Sequence, residues 1–144
     1  MVMRRRALLA ALAMGGVHAA MADPLVDYTL FCMGCHGAQA RGVPGKVPPL
    51  AGALGRFMRS PQGRDYVLRV PGAANSALSD AQLTGVLNWL AERDASADGS
   101  PVPPFTVAEV TAARRTPLAS VQDTRRAVIS ALAADGGAAP ALDY

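Results

Sequence analysis

Apolar positions recur along this chain at helical spacing, and no stretch alternates apolar and polar with the period of a half-buried strand. The first helical rhythm is Leu25, Tyr28 and Phe31-Cys32. Asp23 supplies an N-cap in front of it, and Pro24 suits the first helical position, so a helix is predicted from about Pro24 to Cys35. Gln39 to Pro49 is rich in Gly and Pro and is expected to be irregular. Leu50 to Met58 predicts a short helix, and Asp65 to Val70 a further turn or so, stopped by Pro71-Gly72. The clearest helix opens at Ser79, where Ser79 and Gln82 form a capping box and Leu83, Val86, Leu87 and Leu90 repeat on one face beside Trp89. Ala95 to Pro104 has the Ser, Gly and Pro content of a linker. Thr106 and Glu109 form another capping box, opening a helix to about Arg115, and Ser120 to Ala134 is a third capped candidate. Ala133 to Tyr144 is rich in small residues and expected to fray. The fold class is therefore all-α, with no internal repeat.

The N-terminus reads as an export signal. Arg4, Arg5 and Arg6 form a charged start, Ala7 to Val17 an apolar run, and Ala20-Met21-Ala22 a small-x-small cleavage site, giving a mature start at Asp23. His18-Ala19-Ala20 offers a second, earlier site. The apolar run is shorter than the roughly 20 residues a spanning helix needs, although an uncleaved anchor is the alternative. No stable membrane insertion is expected after cleavage. Removal of residues 1–22 leaves 122 of the 144 residues, enough for one domain, or one small domain with an extension.

Cleavage changes the meaning of the charge. The whole chain carries 14 basic and 11 acidic residues, but three of the basic ones are leader arginines, so the mature chain is near neutral. The calculated pI of about 9.3 is largely a property of the leader and gives no reason to expect nucleic-acid binding. The distribution is uneven: Arg41, Lys46, Arg56, Arg59, Arg64 and Arg69 face only Asp65 in their stretch. That set reads as a docking patch, as partners for cofactor carboxylates, or as an ordinary solvated face.

The chemistry is concentrated in Cys32-Met33-Gly34-Cys35-His36, the C-x-x-C-H pattern of c-type haem attachment. Two thiols can add to the two vinyl groups of one haem, and His36 then lies where its imidazole can ligate iron. Gly37 is expected to keep the exit from the ligand uncrowded. The motif uses both cysteines of the chain. C-x-x-C also serves in redox-active disulfides and in half of a zinc site. The first of these should sit in a βαβ context, which the pattern lacks, and the second needs two more Cys or His. With the leader removed, His36 is the only histidine, so His-based hydrolysis has no candidate. Nor is there a Gly-rich phosphate loop or an acid/base pair.

Beyond that motif, Val47-Pro48-Pro49-Leu50-Ala51-Gly52 and Leu78-Ser79-Asp80 leading into Leu87-Asn88-Trp89-Leu90 complete a pattern. In these segments the chain resembles a class I, mitochondrial-like monohaem cytochrome c over about Asp23 to Glu92. The resemblance implies a cytochrome c fold, in which an N-terminal helix bearing the haem motif crosses a C-terminal core helix, with a Pro-Leu segment on the proximal side of the haem. It implies one covalent haem c held by Cys32 and Cys35, with His36 as proximal axial ligand. Residues 1–22 would be the signal peptide, 23–95 the haem domain, and 96–144 a linker and helical extension with no counterpart in the minimal fold.

The family's distal ligand is a methionine in the loop before the last core helix, and here that loop, Val67 to Leu78, contains none. Met33 lies within the attachment loop. Met58, on the middle helix that borders the distal pocket in the family, is the distal iron candidate, or else a core residue. A water-bound or open iron and Asn75 are the alternatives. The expected function is a periplasmic one-electron carrier, accepting electrons from a dehydrogenase and passing them toward an oxidase, with the later helices packing on the core or binding the partner enzyme. An open iron would instead make the protein a gas- or peroxide-binding haem protein. A non-haem thiol protein using Cys32 and Cys35 is the third reading.

Overall fold

In a computed structural model of the protein, residues 23–94, 101–136 and 140–141 are described. The expected leader and its cleavage sites, part of the linker and most of the final segment lie outside them. Among the described residues there are eight helices and no strand, and the one β-type pairing is an isolated bridge between Val43 and Val47. The all-α expectation holds.

The first predicted helix is divided in two. Helix α1 (Pro24–Phe31) starts as expected, with the Asp23 side chain accepting from the Leu25 amide at 2.9 Å. It stops at Cys32, whose backbone (φ −124°, ψ −38°) departs from helical values, and α2 (Met33–His36) follows as a single turn. The first cysteine thus stands at the joint and the second on the turn beyond it. Gly37 ends α2 at φ +75°, and a Cβ added there would meet nothing within 4 Å. Its requirement is the left-handed backbone rather than the free space the sequence suggested.

The middle of the chain forms α3 (Leu54–Met58), α4 (Pro61–Arg69) and α5 (Pro71–Ala74). Helix α4 begins earlier than its apolar pattern indicates, because Ser60 caps it by accepting from the Gly63 amide at 3.0 Å and Pro61 occupies its first turn. Pro71 ends α4 and also opens α5, so the expected stop is a sharp corner between two helices. The turn between α3 and α4 is tight: a Cβ on Gly63 would lie 2.0 Å from the Phe57 carbonyl oxygen.

Helix α6 (Asp80–Asp94) is the central support. Its capping box is present, with the Ser79 amide donating to Gln82 Oε1 at 3.1 Å and the Gln82 amide to Ser79 Oγ at 3.2 Å. Leu83, Val86, Leu87, Leu90 and Ala91 are all buried. At about 1.5–3 kcal/mol for each large side chain removed from water, this stripe is a principal source of stability. Helices α1 and α6 pack together, as the family resemblance implied. Tyr28 and Trp89 pack at a tilt of 47° with ring centroids 5.7 Å apart, and Gln82 Nε2 donates to the buried Asp27 at 3.2 Å.

The C-terminal extension supplies α7 (Val107–Ala113) and α8 (Val121–Ala134), both packed against α4. The Thr106–Glu109 capping box forms as predicted. Phe105, Val110, Val128, Ile129 and Leu132 join the same hydrophobic core as α6. Arg64 donates to both Glu109 oxygens (3.0 and 2.9 Å) and to the carbonyls of Met58, Pro103 and Pro104, with its guanidinium 4.4 Å from the Phe105 ring centroid. Arg114 donates to Asp80 and to the carbonyls of Ala74, Ser76 and Leu78. It thereby braces, from the extension, the loop in which the family's methionine is absent. Asn88 exchanges two hydrogen bonds with the Phe105 backbone, at 2.7 and 3.0 Å.

Candidate functional site

Cys32, Cys35 and His36 line one cavity of about 340 Å³, within the range of small-molecule and cofactor sites. Their shared orientation follows from the α1–α2 joint: Cys32 and Cys35 are three apart across a single turn, the spacing that puts two side chains on one side of a helix. Pro48, Pro49 and Leu50 face the cavity from the loop, Leu54, Phe57 and Val67 from α3 and α4, and Leu83, Val86, Leu87 and Leu90 from α6. The lining is mostly apolar, which suits a large flat aromatic group with few polar positions.

His36 is oriented before anything binds. Its Nδ1 lies 3.0 Å from the Pro48 carbonyl oxygen, which can only accept, so Nδ1 carries the hydrogen and Nε2 keeps its lone pair. Burial holds the imidazole pKa below its ordinary value, with the Pro48 bond opposing that shift. A neutral ring with one nitrogen fixed by a carbonyl and the other unprotonated is the state a metal requires. Tyr28 adds support by donating to the Gly37 carbonyl at 2.6 Å, which ties the exit of the motif to α1.

The cysteines are free thiols, Cys32 half-buried and Cys35 exposed. Burial pushes the Cys32 pKa up, and the charges of Asp27 and Cys35 add to the shift. Redox-active C-x-x-C motifs need the opposite shift, toward a stabilised thiolate. Among the described residues no strand flanks the motif, and no three Cys, His, Asp or Glu side chains come together as a metal would need. The donor set fits a covalent haem better than it fits a dithiol redox centre or zinc.

The other candidates are placed differently. Met58 is fully buried in the core at 0% exposure and is not among the residues that line the cavity. Met33 packs partly buried against the core, and Asn75 is exposed, both also outside the lining. Of the basic stretch, Arg64 and Arg69 are engaged with the extension, Arg69 through the Thr116 carbonyl at 2.6 Å, while Lys46 borders the cavity.

Sequence reasoning passed over Val121 and Arg125, which line the cavity from α8. A signal was available. Val121, Arg125, Val128, Ile129 and Leu132 follow helical spacing, which sets the arginine on the apolar face of its helix.

Over 66 residues the chain is 39% identical to a cytochrome c-552 of Thermus thermophilus, a match covering 46% of this chain and 44% of that protein. It is 41% identical over 39 residues to another cytochrome c-552 from Thermus thermophilus, covering 27% of this chain and 30% of that protein. These findings support a c-type cytochrome. The matches span less than half the length of either relative. No family model matches the chain. No solved structure matches it either. A c-type cytochrome is what the site's geometry also suits: two thiols, one oriented imidazole and an apolar cavity. Among the described residues no helix is long and apolar enough to cross a membrane.

Proposed function

We propose that this protein is an exported one-electron carrier holding a single covalent haem c, attached at Cys32 and Cys35, with His36 as the proximal iron ligand. The observation that carries this reading is the convergence of all three side chains on one apolar cavity, with His36 Nδ1 already engaged by the Pro48 carbonyl. Bound haem would supply the one-electron iron couple. Cys32 and Cys35 would hold the haem through thioethers, each formed by addition of the thiol S–H across a vinyl group with no leaving group. The hydrogen bond to Pro48 fixes the His36 ring and leaves Nε2 unprotonated, the nitrogen that would ligate iron. Leu54, Phe57, Val67 and Leu87 give the cavity an apolar wall that an apolar macrocycle would cover. Residues 23–95 form the haem domain and 96–144 a linker and docked extension, with leader 1–22 removed in the periplasm. The partners are redox proteins, a dehydrogenase on the donor side and a route to the respiratory chain on the acceptor side. The chain is not a substrate-transforming enzyme in its own right.

A second reading, a gas- or peroxide-binding haem protein with an open distal position, is favoured by one observation: none of Met58, Met33 and Asn75 lines the cavity. Absorption spectra of the purified holoprotein with and without CO separate the two. A low-spin ferrous spectrum unchanged by CO supports the carrier, and M58A then tests whether Met58 is the strong sixth ligand. A high-spin spectrum that shifts fully with CO makes ligand binding the function.

A further inference from the structure

Residues 70–79 connect α4 to α6 and supply Val70, Pro71, Gly72, Ala73 and Ser76 to the cavity wall. The segment contains no Met, His or Cys, so it offers no strong metal ligand through which a bound cofactor could hold it in place. Its own structure is slight: the single turn α5, and the Leu78 amide donating to Ser76 Oγ at 3.1 Å. Ala73, Ala74 and Leu78 are its buried side chains, and two of these are single methyl groups.

The C-terminal extension fastens this segment at both ends and in the middle. Just before it, Arg69 Nε donates to the Thr116 carbonyl at 2.6 Å, and the Arg69 carbonyl accepts from the Leu118 amide at 3.1 Å. Just after it, Asp80 accepts from Thr111 Oγ1 and, at 2.9 Å, from Arg114 Nη1. Between them, the same Arg114 donates to the carbonyls of Ala74 (3.3 Å), Leu78 (2.9 Å) and Ser76 (2.6 Å). One guanidinium therefore holds three backbone carbonyls and a carboxylate, with its side chain only 14% exposed. A rigid fork of diverging N–H donors can span such a set, whereas an ammonium, a point charge, cannot. Lifting the segment off the cavity would leave these sheltered groups unpaired together, which is costly.

We propose that Arg114 is a positioning residue that latches residues 70–79 as a closed wall of the cofactor cavity, so that the extension limits the entry of small ligands to the iron. The inference rests on the haem reading above. The latch acts from outside the cavity and is independent of any ligand this segment could give a metal.

The test uses the full-length holoprotein with R114Q, R114K and a control, T111V, which removes a hydrogen bond between α7 and α6 but leaves the carbonyls of the segment with their arginine. Covalent haem content and far-UV circular dichroism come first. Two rates follow: hydrogen exchange of the Ala73, Ala74, Asn75, Ser76 and Leu78 amides, all bonded within the segment, and cyanide binding to the ferric protein. In R114Q both are expected to rise by about tenfold or more, the effect of losing one or two net hydrogen bonds from a local opening equilibrium. Exchange in the interior of α6 is expected to stay at the wild-type rate. R114K keeps the charge beside Asp80 without the fork and is expected to fall between R114Q and the wild type. T111V is expected to lower thermal stability while keeping the wild-type cyanide rate. A folded R114Q protein in which either rate equals that of the wild type overturns the proposal, and failure of both proteins to bind cyanide counts as equality. A rise in T111V as large as that in R114Q also overturns it, since general loosening would then suffice. Should R114Q fail to accumulate, R114K decides by the same two rates. A wild-type protein carrying no haem would instead bring down the haem reading itself, and the exchange rates would still decide whether Arg114 latches the segment.

Discussion

Three residues illustrate how much of the site depends on single atoms. The Pro48 carbonyl decides which His36 nitrogen carries the hydrogen and which keeps its lone pair, and no side-chain pattern announces a backbone oxygen. The Tyr28 hydroxyl, donating to Gly37 at 2.6 Å, connects the haem motif to the α1–α6 contact. Gly63 permits the close passage of α4 over α3, because any side chain there would strike the Phe57 backbone, which cannot swing aside as a flexible side chain could. Gly63→Ala is therefore expected to destabilise the protein by about 2–4 kcal/mol in urea unfolding, a large overpacking cost at a rigid contact. Loss below about 0.5 kcal/mol would mean the turn relaxes without strain. Cys32, Cys35 and His36 could be singled out from the sequence because C-x-x-C-H is a compact local pattern, and the structure brings all three to one cavity. Arg125 was passed over because an arginine among small and charged residues resembles a solvated face until its register with Val121, Val128 and Leu132 is traced.

At the level of elements, the helices with a side-chain cap were legible and those shaped by tertiary contacts were not. Both predicted capping boxes, at Ser79 and Thr106, form with the expected partners, since a cap is decided within four residues. The break at Cys32, the early start of α4 and the extra helix α5 depend on the corners the chain must turn around the cavity. The docking of α7 was equally hidden, because Arg64 and Glu109 are 45 residues apart. That contact has a pH signature. The hydrogen bonds from Arg64 hold the Glu109 pKa below its ordinary value, with the Thr106 cap adding to the shift. A depressed carboxylate pKa contributes stability that is complete above the unfolded value, near about 4.3, and disappears as pH falls through the folded value. E109Q keeps a capping-box residue while removing the charge. The stability difference between wild type and E109Q is thus expected to be largest near pH 6–7 and to shrink toward pH 3. A difference that is constant over that range would show that the ion pair adds nothing beyond the cap.

At the scale of the whole molecule, a minimal haem fold and an extension share one hydrophobic core and one cavity. The division by sequence at about residue 95 follows the linker composition, but Arg64, Arg114 and Asn88 carry hydrogen bonds across it, and Arg125 brings the far side of the extension to the site. The fold class was legible because helical periodicity and caps are local, whereas the role of the extension depended on which of its faces meets α4. The haem remains the centre of the account, since it explains the apolar cavity, the oriented imidazole and the two free thiols together. The most direct measurement is the intact mass of the protein after acid denaturation, following export in cells that attach haem. The expected result is a chain beginning at Asp23 that carries one haem, with the added mass confined to the peptide containing Cys32 and Cys35. A colourless chain with both thiols unmodified, or a haem that dissociates in acid, would contradict it.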